Sequence, residues 1–274
     1  MKKLLITFFV FMMAIPAFAA DKESAYDRVM RTGVLRCGYV VYPPAFIKDA
    51  NTGEMSGIFY DITELLGTRL KLKVEWTEEV LFPTMVEGLK SNRYDILCLN
   101  GWGSAHLAPH LSMTLPLYYS IINPFVRADD MRFDGNKQSI NSQDVRISTI
   151  DGTGTSVFAE QTFPLAQRIA MPQNSDYSLT ILNVVNKKAD VVLVENSLAN
   201  EFLAKNPNSI RQVQLGKPLR YYANSYYVDI HENELLSMLN MTLGELLGSG
   251  EIDEIVNKYD PYHSYLPAAA PYGE

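Results

Sequence analysis

The sequence predicts an α/β protein built from two units in which strands and helices alternate. Three observations carry this. Apolar residues recur at helical spacing in some stretches and alternate or run continuously in others, the two kinds of stretch succeed one another, and the succession occurs twice around a polar, glycine-containing segment. That order marks mostly parallel sheets wrapped by helices, because parallel neighbours need a crossover that buries its apolar stripe on the sheet.

In the first unit, residues 34–40 (VLRCGYV) read as a strand. Over 57–70, Ile58, Ile62, Leu65, Leu66 and Leu70 fall on one face of a helix, and 71–76 (KLKVEW) alternates as a strand. A helix from about Phe82 to Lys90 leads into a strand at 94–99. The segment 124–138 (PFVRADDMRFDGNKQ) is expected to cross between units. The second unit has a strand at 145–150, a loop entering a helix over 152–163, a buried strand at 189–195 and a helix at 197–205. A strand at 225–230 and two helices over 232–259, broken at Gly248, Ser249 and Gly250, could return to complete the first unit, and the proline-rich tail from 260 is expected to be extended.

Of the 274 residues, 47% are hydrophobic and 20% charged, which is globular composition and argues against disorder. Residues 1–20 carry Lys2 and Lys3, an apolar stretch and then Ala17-Phe18-Ala19, the order of a secretion signal cleaved after Ala19. The uncharged core from Leu4 to Ala14 is too short to span a bilayer, and no cysteine near the cleavage point supports a lipid anchor. Loss of Lys2 and Lys3 leaves 22 basic against 31 acidic residues, a charge that repels nucleic acid and anionic lipid. The mature protein is expected to be soluble and outside the cytoplasm.

Cys37 and Cys98 both lie in strands that read as buried. An even count in an oxidising compartment favours a disulfide, whereas apolar surroundings suit a pair of small core thiols, and both readings stand at this point. His106 and His110 have helical spacing, but Pro109 interrupts them and no third ligand is evident, so no metal or other cofactor is expected. No serine–histidine–acid order or phosphate loop points to a familiar enzyme class.

The segments 33–46 (GVLRCGYVVYPPAF), 53–62 (GEMSGIFYDI), 88–101 (GLKSNRYDILCLNG), 116–120 (PLYYS), 152–156 (GTGTS), 189–195 (ADVVLVE) and 249–259 (SGEIDEIVNKY) form an ordered set covering nearly all of the mature chain. In that order and spacing they resemble the family 3 extracellular solute-binding proteins, the periplasmic components of polar amino acid importers. The resemblance implies a type II two-lobe fold, each lobe a mostly parallel sheet flanked by helices. Lobe 1 would comprise 22–124 and 225–260, lobe 2 would comprise 125–224, and 261–274 would be a tail. Hinges are expected near Phe125 to Ala128 and Tyr222 to Ser225. It also implies a monomer that closes on a small ligand and hands it to an inner-membrane ABC permease.

The ligand-binding set expected from these residues is Tyr42, Phe46, Glu78, Asn100, Gly101, Trp102, Thr153, Thr155, Ser156 and Glu195. Trp102 stands between Gly101 and Gly103 just past a strand end, where open α/β sheets bind ligands, although a packing role is the alternative. Tyr42 and Phe46 flank Pro43-Pro44, a rigid step that would hold rings toward a ligand, though Phe46 suits the core nearly as well. Thr153, Thr155 and Ser156 precede a helix, where they could cap it and also receive a carboxylate. Glu195 ends the apolar run 191–194, a costly place for a charge unless it faces a cleft or partner. The corresponding family position is usually an aspartate that holds the ligand amino group.

The departures from the family are at Leu107, where an arginine normally forks onto the ligand carboxylate, and near Glu78, where an aromatic normally stacks on the ligand. No lysine or arginine occurs from Tyr94 to Val126. Loss of a cation and gain of acid favour a cationic or amine-bearing solute held by Trp102, Tyr42 and Glu195. The alternative is an ordinary amino acid whose carboxylate meets His106 or a distant arginine such as Arg127. Two other functions share this fold: an enzyme like the cyclohexadienyl dehydratases, with Glu195 as acid, and a sensor or accessory subunit.

Overall fold

A computed structural model describes residues 23–82 and 84–268. The expected secretion signal lies outside the described residues. Helix α1 (Ala25–Thr32) starts at Ser24, whose side chain accepts the Asp27 N–H, and stops at Gly33 in the left-handed conformation that glycine adopts without strain. Next come β1 (Val34–Tyr39), a hairpin of β2 (Ile47–Lys48) and β3 (Met55–Ser56), α2 (Ile58–Leu70), β4 (Lys73–Glu79), α3 (Met85–Lys90) and β5 (Ile96–Gly101). After β6 (Leu111–Met113) and β7 (Tyr118–Arg127), the second unit runs β8 (Arg146–Ile150), α4 (Gly154–Thr162), β9 (Gln167–Met171), α5 (Ser178–Val185), β10 (Val191–Glu195), α6 (Asn196–Lys205) and β11 (Ile210–Gln212). The chain returns through β12 (Arg220–Asp229), α7 (Asn233–Gly248) and α8 (Glu251–Tyr259) and finishes at β13 (Tyr265–Pro267).

The strands form a path β4-β1-β5-β12-β7-β10-β8-β9. At its two ends β4, β1 and β5 pair in parallel, as do β10, β8 and β9, while β12 and β7 are antiparallel strands in the middle. Each parallel group has its own core. One gathers apolar residues of α1, β1, α2, β5, the second half of β12, α7 and α8, while the other side is built around β7, β8, α4, α5, β10 and α6. Helix α2 shows how the periodicity operates: Ile58, Phe59, Ile62 and Leu66 are all fully buried. Each such side chain contributes about 1.5–3 kcal/mol through removal from water. Cys37 on β1 and Cys98 on β5 form a disulfide, tying adjacent parallel strands of the first lobe.

One expectation needs correction. The segment beginning at Pro124 is not a crossing, because Pro124 and Phe125 pair with Leu193 and Val192 within β7, well inside the second sheet. The first change of lobe lies upstream, between β6, which pairs with the first-lobe part of β12, and β7. The second occurs inside β12, where Asn224 pairs with Tyr118 of β7 and Ser225 with Gly101 of β5. In the tail, the extended residues Tyr265, Leu266 and Pro267 pair with Ser120, Tyr119 and Tyr118, and the Tyr265 ring lies 4.7 Å from that of Tyr118.

Candidate functional site

The carboxyl ends of β1, β5, β8 and β10 converge on a cavity of about 590 Å³ between the lobes, walled by residues of both. Parallel strands leave their last side chains and following loops at one edge, which is why open α/β sheets place ligands there. Tyr42 follows β1, Asn100 and Trp102 mark the end of β5, Thr149 is near the end of β8, Thr153 and Thr155 stand at the start of α4, and Glu195 ends β10; all line the cavity.

Glu195 is 2% exposed. Its Oε1 accepts the Tyr42 hydroxyl at 3.0 Å and its Oε2 accepts the Ser120 hydroxyl at 2.6 Å. Burial pushes its carboxyl above the ordinary glutamate range, against the opposing pull of those two hydrogen bonds. Burial, with the nearby Glu195 charge, raises the Tyr42 phenol well above its usual range, so Tyr42 keeps its proton and donates. A carboxylate has about four lone-pair positions, so two hydrogen bonds leave Glu195 capacity to accept from a ligand.

A chain of donors leads into Glu195 from the other side of the cleft. The Trp102 indole N–H donates to Asn224 Oδ1 at 2.9 Å, Asn224 Nδ2 donates to Ser120 Oγ at 2.9 Å, and Ser120 donates to Glu195. Asn224 and Ser120 lie on β12 and β7, so the relay runs through the strands that join the lobes. Trp102 is also stacked on Tyr222, with ring centres 4.2 Å apart and planes 8° from parallel, and Tyr227 donates to the Trp102 carbonyl oxygen at 2.5 Å.

At α4, Thr153 Oγ1 accepts the Ser156 N–H at 3.3 Å and donates to the Ile150 carbonyl at 2.7 Å, so Thr153 caps the helix. The positive end of the helix dipole points into the cleft beside Thr153 and Thr155. Two buried polar atoms on the wall have no partner among the described residues: Asn100 Oδ1 from the first lobe and Thr149 Oγ1 from the second. Buried polar groups are normally paired, so both suit hydrogen bonds to a bound molecule.

Four of the expected residues stand off the cavity. Phe46 is 1% exposed and packs with Tyr39 at 4.7 Å, Trp76 at 5.0 Å and Tyr60 at 6.1 Å, because the proline step turns its ring into the first lobe. Glu78 is drawn to Arg93 at 2.7 Å. Gly101 serves close packing: a Cβ there would come within 2.5 Å of the Tyr227 ring. Ser156 is buried beneath the α4 cap. Arg127 is also elsewhere, donating to the Val184 and Ala189 carbonyls. His106 lines the cavity, while His110 lies 3.4 Å from Lys90 Nζ.

Arg220 and Tyr222 line the cavity although neither was expected there, and Asn224 reaches Trp102. The signal for them is period-two spacing: 220, 222 and 224 share one face of β12, exposed at Arg220 and buried at Tyr222 and Asn224, while Tyr221 on the other face is half exposed.

A family model for bacterial extracellular solute-binding proteins, family 3, matches residues 35–261. A probable histidine-binding protein of Campylobacter jejuni is 20% identical over 265 residues, spanning 95% of this chain and 99% of that protein. The crystal structure of an ancestral amino acid-binding protein, a precursor of cyclohexadienyl dehydratase, has a TM-score of 0.73 at 21% identity and covers 86% of this chain and 99% of its own. A mutant of ArgBP from T. maritima has a TM-score of 0.72 at 19% identity with the same coverage. An amino acid ABC transporter substrate-binding protein from Streptococcus pneumoniae, bound to L-arginine, has a TM-score of 0.71 at 14% identity, covering 85% of this chain and 97% of its own. These structures share the type II two-lobe fold, and with the family match over most of its length the chain belongs to family 3 of the bacterial extracellular solute-binding proteins.

Proposed function

We propose that the protein captures an α-amino acid between its lobes and delivers it to an inner-membrane ABC importer, acting in the periplasm as a monomer once residues 1–19 are removed. The observation that carries this reading is the pairing, in one interlobe cavity, of a buried carboxylate at Glu195 with the positive end of α4. An ammonium group suits Glu195 and the free Asn100 Oδ1, and a carboxylate suits the α4 N–H groups and the Thr149, Thr153 and Thr155 hydroxyls. The histidine- and arginine-binding relatives support an amino acid as the ligand.

Closure of the lobes is the mechanism, with the lobe boundaries falling between β6 and β7 and between Asn224 and Ser225. A ligand that touches both walls favours the closed state by its differential affinity for it. The test is a thermal-shift screen against the common L-amino acids, paired with mass spectrometry of ligand carried through purification. Stabilisation by at least one amino acid is expected. No shift with any of them, or conversion of prephenate to an aromatic product, would overturn the proposal.

A further inference from the structure

Among the described residues that wall the cavity, Glu195 is the one carboxylate and Arg220 the one guanidinium. The Arg220 guanidinium lies over two rings, 4.8 Å from the centre of Tyr222 and 5.0 Å from that of Phe158, and it has no carboxylate partner among the described residues. Aromatic faces hold a guanidinium in place without neutralising it. Phe158 belongs to α4, so the exposed Arg220 cation lies on the same wall as the positive start of that helix and the Thr149 hydroxyl that lacks a partner among the described residues.

We infer that Arg220 anchors the ligand's carboxylate and that the ligand's side chain is large and uncharged, an inference that rests on the amino-acid reading above. The charges of the cavity match those of the amino acid backbone: Arg220 for its carboxylate and Glu195 for its ammonium. This cavity's described wall holds no second carboxylate for a cationic side chain: Glu78 is engaged by Arg93, and Asp151, Asp176 and Glu201 line the adjoining cavity beyond Tyr42 and Tyr177. Beside uncharged polar groups such as Ser104, Ser148, Gln161 and Thr180, the wall presents apolar side chains on both sides, with Phe82, Met85, Val86 and Leu107 from one lobe and Val157 and Ile150 from the other. A lysine or arginine side chain would lose hydration there without a counter-charge, whereas a leucine or phenylalanine side chain would gain by leaving water. The leucine at 107 thus extends the apolar wall, and the cation comes from β12 instead.

Calorimetry on the mature protein at pH 7.5 tests this with L-leucine, L-phenylalanine, L-lysine and L-arginine, together with 2-phenylethylamine, which lacks the carboxylate. Leucine or phenylalanine should bind at least tenfold more tightly than lysine or arginine. Removal of the carboxylate should weaken phenylalanine at least a hundredfold in the parent protein. In Arg220→Ala the ratio between phenylalanine and phenylethylamine should fall at least tenfold, the α4 N–H groups and threonine hydroxyls keeping the remainder. This comparison within one variant holds even if the substitution also loosens the Tyr222–Phe158 packing. Lysine or arginine binding as tightly as the neutral amino acids would overturn the inference and leave the amino-acid function standing. A carboxylate effect that persists undiminished in Arg220→Ala would remove Arg220 from the site. Binding of none of the four would overturn the inference, and the amino-acid reading would fall with it only if the thermal-shift screen of the common L-amino acids also found no ligand.

Discussion

Asp95 and Asp190 occupy matching places in the two lobes, each immediately before the last strand of its parallel group and each accepting the backbone N–H of the first. Asp95 accepts the Arg36 N–H at 2.8 Å and Asp190 accepts the Arg146 N–H at 3.0 Å. Each also binds two guanidinium groups, Arg28 and Arg36 in one lobe and Arg132 and Arg146 in the other. The same buried fork fixes the register of both sheets, and therefore the position of the strand ends that build the cleft.

Asp95→Asn should destabilise the protein by about 3–5 kcal/mol, since it leaves two arginines without their partner around a buried position. Chemical denaturation checks the magnitude. Asp190 adds a pH dependence. Burial raises its carboxyl, but the hydrogen bonds from Arg146 and Arg132 outweigh that and hold it below the ordinary aspartate range. Its contribution is complete above the unfolded-state pKa and is lost as pH falls through the lower folded value. Asp190→Asn should therefore flatten the acid limb of the stability–pH curve, and an unchanged limb would assign the acid sensitivity to other groups.

Glu195 has the opposite sign. Its folded-state carboxyl holds the proton more tightly than the unfolded one, so its contribution is greatest below the unfolded pKa and declines as pH rises toward the folded value. Without ligand, Glu195→Gln should be more stable than the parent at pH 8 and no more stable at pH 4. The same variant should weaken amino acid binding by about 2–5 kcal/mol, the cost of removing one partner of a buried charge pair. Melting curves at the two pH values and calorimetry separate these effects.

Asn224→Ala breaks the relay at its middle member, leaving the Trp102 N–H without its acceptor and Ser120 without a donor. Two neutral hydrogen bonds of about 1 kcal/mol each are lost. Because one end of the relay is on the first lobe and the other on the second, the variant should raise the dissociation constant roughly tenfold, mainly through faster ligand release. Stopped-flow dissociation measures this directly.

Reduction of the Cys37–Cys98 bond opens a link spanning a sequence separation of 61. Chain-entropy arguments assign such a link about 4 kcal/mol. Cys37→Ser with Cys98→Ser should lower the stability of the first lobe by up to that amount. Ligand affinity should change little where the variant remains folded, because neither cysteine lines the cavity.

The parts of this fold legible in the sequence are those whose partners are implied by periodicity. The spacing of Ile58, Ile62 and Leu66 needs only an apolar surface to bury against, and 191–194 reads as a central strand because every residue is apolar. Strand β7 was not legible because Pro124 argues against a central strand and charged residues follow at once; its neighbours β10, β11, β12 and β13 are all distant in sequence. The site divides in the same way. Tyr42, Trp102 and Glu195 sit at strand ends, which sequence order reveals. Phe46 and Glu78 were misplaced because the side chains that claim them, Trp76 and Arg93, become neighbours only after folding. Arg220 was missed because its face of β12 acquires meaning only once that strand is known to run along the cleft.

The stack between Trp102 and Tyr222 has an optical consequence. The chain contains two tryptophans, and the other, Trp76, lies within the first lobe against Tyr39, Phe46 and Tyr60, with its indole N–H bound to Glu64 at 2.8 Å. Lobe motion of the kind proposed should part Trp102 from Tyr222 and admit water to its ring, while the surroundings of Trp76, all from the first lobe, should move with it. Intrinsic emission thus divides into a component that follows the distance between lobes and a component that stays constant. A Trp76→Phe variant would isolate the first, giving a label-free reading of domain motion from a side chain the protein already carries.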